Sequence, residues 1–360
     1  MNIDDGLSRL AGSLRVRPAQ QPALLGGRPP LAGRLLRGHP AEAAVRHLPL
    51  IYSLCGQAHR LTAELALAAA IQGSAEPDAQ ARLALREENI REHLRHILLD
   101  WPRLLAGTPS AMAQPSPRQT PDLDSWFDGS AQAWLHSWRA APRQALLDWS
   151  LHSRHPLARL LHDCRQRAEA LVLPVHALPT DPASLLEVGH SLLGNEDFLR
   201  RPELSSEPRE TGAWTRGRES HPERYDSAWL RLGARLADLV ELTQAPVAPL
   251  EMGALALGEN RALAWSETAR GLLMHLVQLE PAATGWQICD YRILAPTEWN
   301  LHPHGTLARA LEALPDDAVA LRQAELLLAV FDPCLPYRLE SPVLAPVDHP
   351  ANIAGAPRHA

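Results

Sequence analysis

"VFDPCLPYRLE", residues 330–340, places Cys334 after an Asp-Pro pair at the close of an apolar, helix-patterned run. Proline has no N–H to continue a helical ladder, so Asp332 and Pro333 cap that run, set a turn and orient Cys334 on it. Another lone cysteine, Cys55, stands in "YSLCGQAHR" (52–60), nearly a whole sequence away. Taken by itself, each would be a small, inert packing residue, as free cysteines usually are.

Composition bounds the function. The 360 residues are 46% hydrophobic and 21% charged, which describes an ordinary globular chain with ample length for a core. A formal net charge of -6 excludes a general nucleic-acid binder, whose footprint is basic. The start "MNIDDGLSRLAG" is mixed rather than basic and then apolar, and "LTAELALAAAIQG" carries Glu64 and is too short to span a bilayer. Four cysteines do not make a disulfide framework. A cytoplasmic location with no nucleic-acid or membrane partner is expected.

The periodicity predicts a mainly α fold with small β elements (α+β), in a single domain over 1–360. Residues 1–56 are rich in Gly, Pro and Arg and read as an irregular or β part. Residues 57–243 read as a helical bundle, with helices over 57–105, 129–152, 156–172, 183–200 and 226–243 and a loop at 107–125. After 250 the period changes. "GALALGENRALAWS" predicts a hairpin about Gly-Glu-Asn, "GLLMHLVQLE" and "WQICDYRILAP" predict a further strand pair, and 316–330 a helix before Cys334. Residues 250–340 therefore hold β pieces and the cysteine motif, and 341–360 form a tail.

Six stretches, in chain order, resemble the large subunit of nickel–iron hydrogenases over nearly the whole length. "LSRLAGSLRV" (7–16) is similar to that family's "TRIEGHLRI", and "RLLRGHPAEA" (34–43) followed by "LCGQAH" is similar to the run into its first cysteine motif. "ETGAWTR" (210–216) is a looser match to "EVGPLAR". "ETARGLLMHLVQLE" (267–280) resembles "EAPRGxLxHxIxI", "ILAPTEWNLHP" (293–303) resembles "IVVPTTWNxxP", and "FDPCLPYRLE" resembles "FDPCLACAVH". The resemblance implies a shortened large-subunit fold with a central helical bundle, at whose centre the two cysteine motifs meet.

The departures carry as much information. The family binds nickel and iron through two CxxC pairs. Here Cys55 and Cys334 stand at the terminal-ligand positions, while Ala58 and Tyr337 stand at the bridging ones. Thiolates suit soft, low-spin metals, and two in place of four imply no binuclear centre and no nickel. Ala11 replaces the glutamate used for proton transfer, which removes the obvious general base. Gly33 falls where the family has an acidic ligand of a magnesium-type site. Glu340 replaces the histidine at which the family's maturation protease cuts, implying that the tail is retained. The resemblance thus implies no catalytic role.

What is kept is the family's pocket for the iron's diatomic ligands, here Arg270, Leu273, Ala295, Pro296 and Thr297. Arg270 and Thr297 would donate hydrogen bonds to cyanide nitrogens, and Leu273 and Ala295 would wall the carbon monoxide. Ala269 departs from the family's proline beside Arg270. The implied reading is a hydrogenase maturation protein of the HupK/HoxV type. It would be a scaffold for an iron dicyano-carbonyl fragment, with Cys55 and Cys334 as metal contacts. Implied partners are a HypC-type small chaperone, the HypD–HypE assembly machinery and the nickel–iron hydrogenase large-subunit precursor. The alternatives are a metal-free interaction protein that gathers chaperones and a degenerate redox enzyme of the same superfamily. Cys164 and Cys289 are read as structural, His93 and His96 of "EHLRH" as surface residues, and His59 as exposed or behind the metal ligands.

Overall fold

The computed structural model describes residues 12–106, 122–244 and 250–341. Short strands β1 (Ser13–Val16) and β2 (Leu24–Gly27) lead into helices α1 (Leu31–Leu36) and α2 (Ala43–Ile51). These two helices correct the irregular or β reading of this part. Their signal was weak because α1 is six residues long and follows Pro30, while α2 contains Pro49 and buries only Ala43, Ala44 and Leu48. Helices α3 (Gly56–Gln72), α4 (Ala79–Arg95) and α5 (Trp101–Ala106) follow, the last two joined by a π-helical turn over His96–Asp100. Pro102, lacking an N–H, stands just beyond that turn.

The bundle continues with α6 (Ala131–Ala140), α7 (Pro142–His152), α8 (Pro156–Ala170), α9 (Pro182–Gly194) and α10 (Ala228–Thr243), with a minimal hairpin β3–β4 (Glu203–Leu204, Glu207–Pro208) between the last two. The single helix expected over 129–152 is two, divided at Ala141 before Pro142. Residues 107–121, most of the expected loop, lie outside the described residues.

The expected strand pairs form one antiparallel meander, β5 (Met252–Gly258), β6 (Arg261–Thr268), β7 (Gly271–Ala282) and β8 (Gly285–Leu294), in the order β5-β6-β7-β8. Short helices α11 (Pro296–Asn300) and α12 (Thr306–Glu312), then α13 (Ala318–Phe331) and strand β9 (Tyr337–Leu339), complete the described chain. β9 pairs in parallel with β1, Leu14 opposite Tyr337 and Val16 opposite Leu339, so both ends of the described chain share one small sheet.

Two buried helices position the site. α3 packs on β5, β6 and β7, and its many alanines (Ala58, Ala63, Ala66, Ala69, Ala70) let helix and sheet approach closely. It stops at Gly73, whose φ of +85° is the left-handed cap glycine adopts without strain. α10 is buried on nearly every side, and its charged residues are paired there: Arg231 with Glu210, Asp238 with Arg216 and His93, Arg235 with Asp332. The main core runs from Leu14 to Leu335, and a smaller cluster lies between α9, the meander and Trp299. No helix among the described residues is long and apolar enough to cross a membrane.

Candidate metal-fragment site

Cys55 closes a 3₁₀ turn (Ser53–Cys55) and directly precedes α3. Cys334 follows α13 on a bend that begins at Asp332, whose φ of +43° ends the helix. The two cysteines, from opposite ends of the chain, line one cavity of about 190 Å³ with Arg28, Tyr52, Leu54 and Pro336. The expected convergence is therefore present. Its place differs from the expectation, because the cavity borders the surface at Ile51 and Leu54, which are 40% and 44% exposed, rather than lying sealed at the centre.

Around Cys334 the donors are close. Thr297, on α11, has its Oγ1 3.1 Å from the Cys334 Sγ. Arg28 donates from Nη2 to the same sulfur at 2.9 Å and to the Cys334 carbonyl at 2.7 Å, and its guanidinium lies over the Tyr52 ring. The Cys55 thiol is pushed up by burial, then by the nearby Cys334 sulfur, with Arg270 opposing. Pro296 opens α11, whose first turn is fixed by the Ala295 N–H donating to Glu298 Oε2 at 2.8 Å. Leu273 and Ala295 are buried in the main core and line neither this cavity nor the neighbouring one.

Arg270 faces the neighbouring cavity, of about 300 Å³, which it lines with Leu54, His96, Asp332 and Cys334. Its Nε donates to the Asp332 carbonyl and faces the Asp332 carboxylate, both at 3.1 Å, while Nη1 and Nη2 donate to Glu92 Oε2 at 3.1 Å. One N–H on each terminal nitrogen remains beyond those bonds. Burial opposes the guanidinium charge, but Asp332, Cys334 and Glu92 outweigh it and hold the pKa above the ordinary value. Asp332 is the counterpart. Burial would raise its carboxyl, yet Arg270, His96 and Arg235 hold it below the usual carboxylate range. His96, Asp100 and Asp332 could together offer ligand atoms to a cation. The carboxylates there already meet Arg95, Arg235 and Arg270, which makes the cluster an ion-pair network.

Three features went unseen in the sequence. Arg28 lies in "GGRPPL", a Gly/Pro-rich run with no motif around it. Glu88, Glu92 and His96 recur every fourth residue, a signal that they share one helix face. Glu88 accepts the N–H groups of Gln57 and Ala58, Glu92 holds Arg270, and His96 meets Asp332. The surface reading of His93 and His96 is corrected, since they are 0% and 1% exposed; α10 and α13 cover that face and supply Asp238 and the Ala329 carbonyl as partners. His59 is not exposed either. It is fully buried, stacks on Tyr52 and meets His275 at 3.0 Å.

The remaining family positions agree with a reduced donor set. Ala58 is buried in α3, and Tyr337 in β9 lies 3.4 Å from Arg103 Nη2 through its hydroxyl. A side chain at Gly33 is blocked, because a Cβ there would lie 2.9 Å from the Tyr291 carbonyl oxygen. Glu340 pairs with Arg15 at 2.7 Å. Ala11 and most of the tail fall outside the described residues. Two thiols with no third or fourth at the matching positions do not fit the nickel half of a binuclear centre.

Comparison with known proteins agrees with this architecture. No family model matches the chain. It is 40% identical to the hydrogenase expression/formation protein HoxV of Cupriavidus necator, over 92% of this chain and 96% of that protein. It is 31% identical to the hydrogenase expression/formation protein HupK of Bradyrhizobium diazoefficiens, over 92% and 94%. Its fold is shared with the nickel–iron–selenium hydrogenase of Desulfovibrio vulgaris Hildenborough, at a TM-score of 0.55 and 16% identity over 86% of this chain and 92% of that one. The chain has the hydrogenase large-subunit fold, and it belongs to the HoxV/HupK family of hydrogenase expression/formation proteins.

Proposed function

We propose that the protein is a non-catalytic scaffold in nickel–iron hydrogenase maturation that transiently holds the iron–cyanide–carbonyl fragment before its transfer to the hydrogenase large subunit. The observation that carries this reading is the single cavity shared by Cys55 and Cys334, with Thr297 and Arg28 set against the Cys334 sulfur. Two thiolates would hold one iron. The N–H groups of Arg270 that its ion pairs leave over supply donors of the kind cyanide nitrogens accept, while the Thr297 hydroxyl, with its one proton, stays with the Cys334 sulfur. The relatives named for hydrogenase expression and formation support the process. Weak anchorage suits a carrier, since a fragment held too tightly would not be passed on. On this reading the partners are a HypC-type chaperone, the HypD–HypE machinery and the large-subunit precursor.

The test is an infrared spectrum of the protein purified from cells expressing the maturation machinery. Cyanide and carbonyl stretching bands, with iron present by metal analysis, are expected in the wild type and absent in Cys55→Ser and Cys334→Ser. A wild-type protein without bands and without iron would overturn the reading. Full hydrogenase maturation in cells carrying either serine variant would favour a metal-free gatherer of chaperones instead.

A further inference from the structure

The fold family places nickel beside iron, and the donor set here does not fit that second metal. We propose that Arg28 makes the cavity a one-metal site, its guanidinium taking the second-metal side of Cys334 and keeping nickel and similar divalent ions out. The proposal deepens the scaffold reading and rests on it for the identity of the cargo.

The first argument is valence. Beyond its bond to Cβ, a thiolate sulfur has three directions in which to accept a partner. Arg28 Nη2 at 2.9 Å takes one and Thr297 Oγ1 at 3.1 Å faces another. One direction is left, enough for a terminal bond to a single metal and not for a shared sulfur. Arg28 is also fixed in place, by its bond to the Cys334 carbonyl at 2.7 Å and by its position 5.3 Å from the centre of the Tyr52 ring.

The second argument is charge. A guanidinium does not deprotonate in proteins. Among the described residues no carboxylate oxygen lies within 4.0 Å of the guanidinium, so no direct ion pair cancels it. Ferrous iron with two cyanides and two thiolates is a dianion, whereas a divalent ion on the same two thiolates is neutral and first approaches as a dication. A fixed cation favours the former and opposes the latter.

The test uses the purified apoprotein and bare ions. Ni²⁺ and Co²⁺ are titrated into wild type, Arg28→Met and Arg28→Lys, and the thiolate-to-metal charge-transfer absorption is followed. Arg28→Met is expected to bind at least about tenfold more tightly than wild type, the size of a partly screened charge repulsion. Its band should disappear when Cys55→Ser or Cys334→Ser is added. Arg28→Lys, which keeps the charge, should stay close to wild type. Equal binding by wild type and Arg28→Met, whether tight or absent, overturns the proposal, as does Arg28→Lys binding as strongly as Arg28→Met. Should Arg28→Met not unfold cooperatively, Arg28→Gln, which retains a donor without the charge, is read in its place. No iron fragment enters these titrations, so their failure is distinguishable from failure of the infrared test.

Discussion

Glu88 is bonded to Ala58 across two helices: the Ala58 N–H donates to Glu88 Oε1 at 2.9 Å, and the neighbouring Gln57 N–H donates to Oε2 at 2.7 Å. Ala58 is the position at which the sequence resemblance implies a bridging thiolate. α3 has no side-chain cap at its own N-cap residue, Cys55, so a carboxylate on α4 satisfies the first N–H groups of the helix and fixes the turn carrying Cys55. Burial nevertheless pushes the Glu88 carboxyl up, with the two N–H bonds opposing.

Glu88→Ala leaves one buried and one partly buried N–H unpaired and should cost about 2 kcal/mol in urea unfolding. Glu88→Gln keeps one oxygen acceptor and should cost less. Because the turn is loosened, alkylation of Cys55 should be faster in Glu88→Ala at denaturant concentrations where the protein stays folded. Unchanged Cys55 alkylation would mean that Glu88 supports α3 without positioning the cysteine.

Much of this architecture was legible in the sequence, for identifiable reasons. The meander announced itself through short apolar runs about Gly-Glu-Asn and Ala-Ala-Thr-Gly, and β5 through β8 lie where those runs are. The Cys55 and Cys334 contexts were legible because each is a local motif. What stayed hidden depends on partners far along the chain. Glu88, Glu92 and His93 look like a solvated helix face until α3, Arg270 and α10 are packed against them. Arg28 sits in a segment without periodicity, and only the strand pairing of β1 with β9 brings the two ends of the chain together beside Cys334.

Arg270 is pinned between two acids, which makes its replacement costly. Arg270→Met would leave Asp332 with Arg235 and the half-buried Glu92 with Arg95 but remove the cation that holds both at 3.1 Å, an expected loss of about 1.5–3 kcal/mol. The Asp332 carboxyl lies below its ordinary range in the folded protein, so its pairing contributes stability above the ordinary carboxylate pKa and loses it as the pH falls. The gap between wild type and Arg270→Met should therefore be widest near pH 7 and shrink below pH 4. Guanidinium unfolding at the two pH values checks this, and a gap independent of pH would show that packing rather than pairing dominates.

Gly33 tests whether the magnesium-type site that the sequence resemblance implies could be restored by one acid. A Cβ at this position meets the Tyr291 carbonyl at 2.9 Å, a backbone atom that cannot swing aside. Gly33→Ala should cost about 1–3 kcal/mol from overpacking α1 against β8. Gly33→Glu should be no better, and adding Mg²⁺ should leave its melting temperature unchanged. A rise in melting temperature with Mg²⁺ in Gly33→Glu alone would show that the acid reaches a usable ligand position.

The pH response should also report a buried row of rings. His59 Nδ1 meets His275 Nε2 at 3.0 Å, and His275 Nδ1 meets the Tyr291 hydroxyl at 2.8 Å. Burial lowers the His275 pKa to about 3, and His59 is held well below its usual value by burial, then by His275 and Arg28. Between about pH 6.5 and 3 the unfolded chain takes up protons that the folded one refuses, so stability falls as the pH drops through that window. From His275 alone the loss approaches about 3 kcal/mol by pH 4. His275→Gln cannot titrate, so its stability should fall less steeply between pH 6.5 and 4, even if it starts lower for want of a matched partner. Parallel slopes in wild type and variant would mean that His275 carries a proton in the folded state, and a ring nitrogen NMR titration would then show it protonating near pH 6.5.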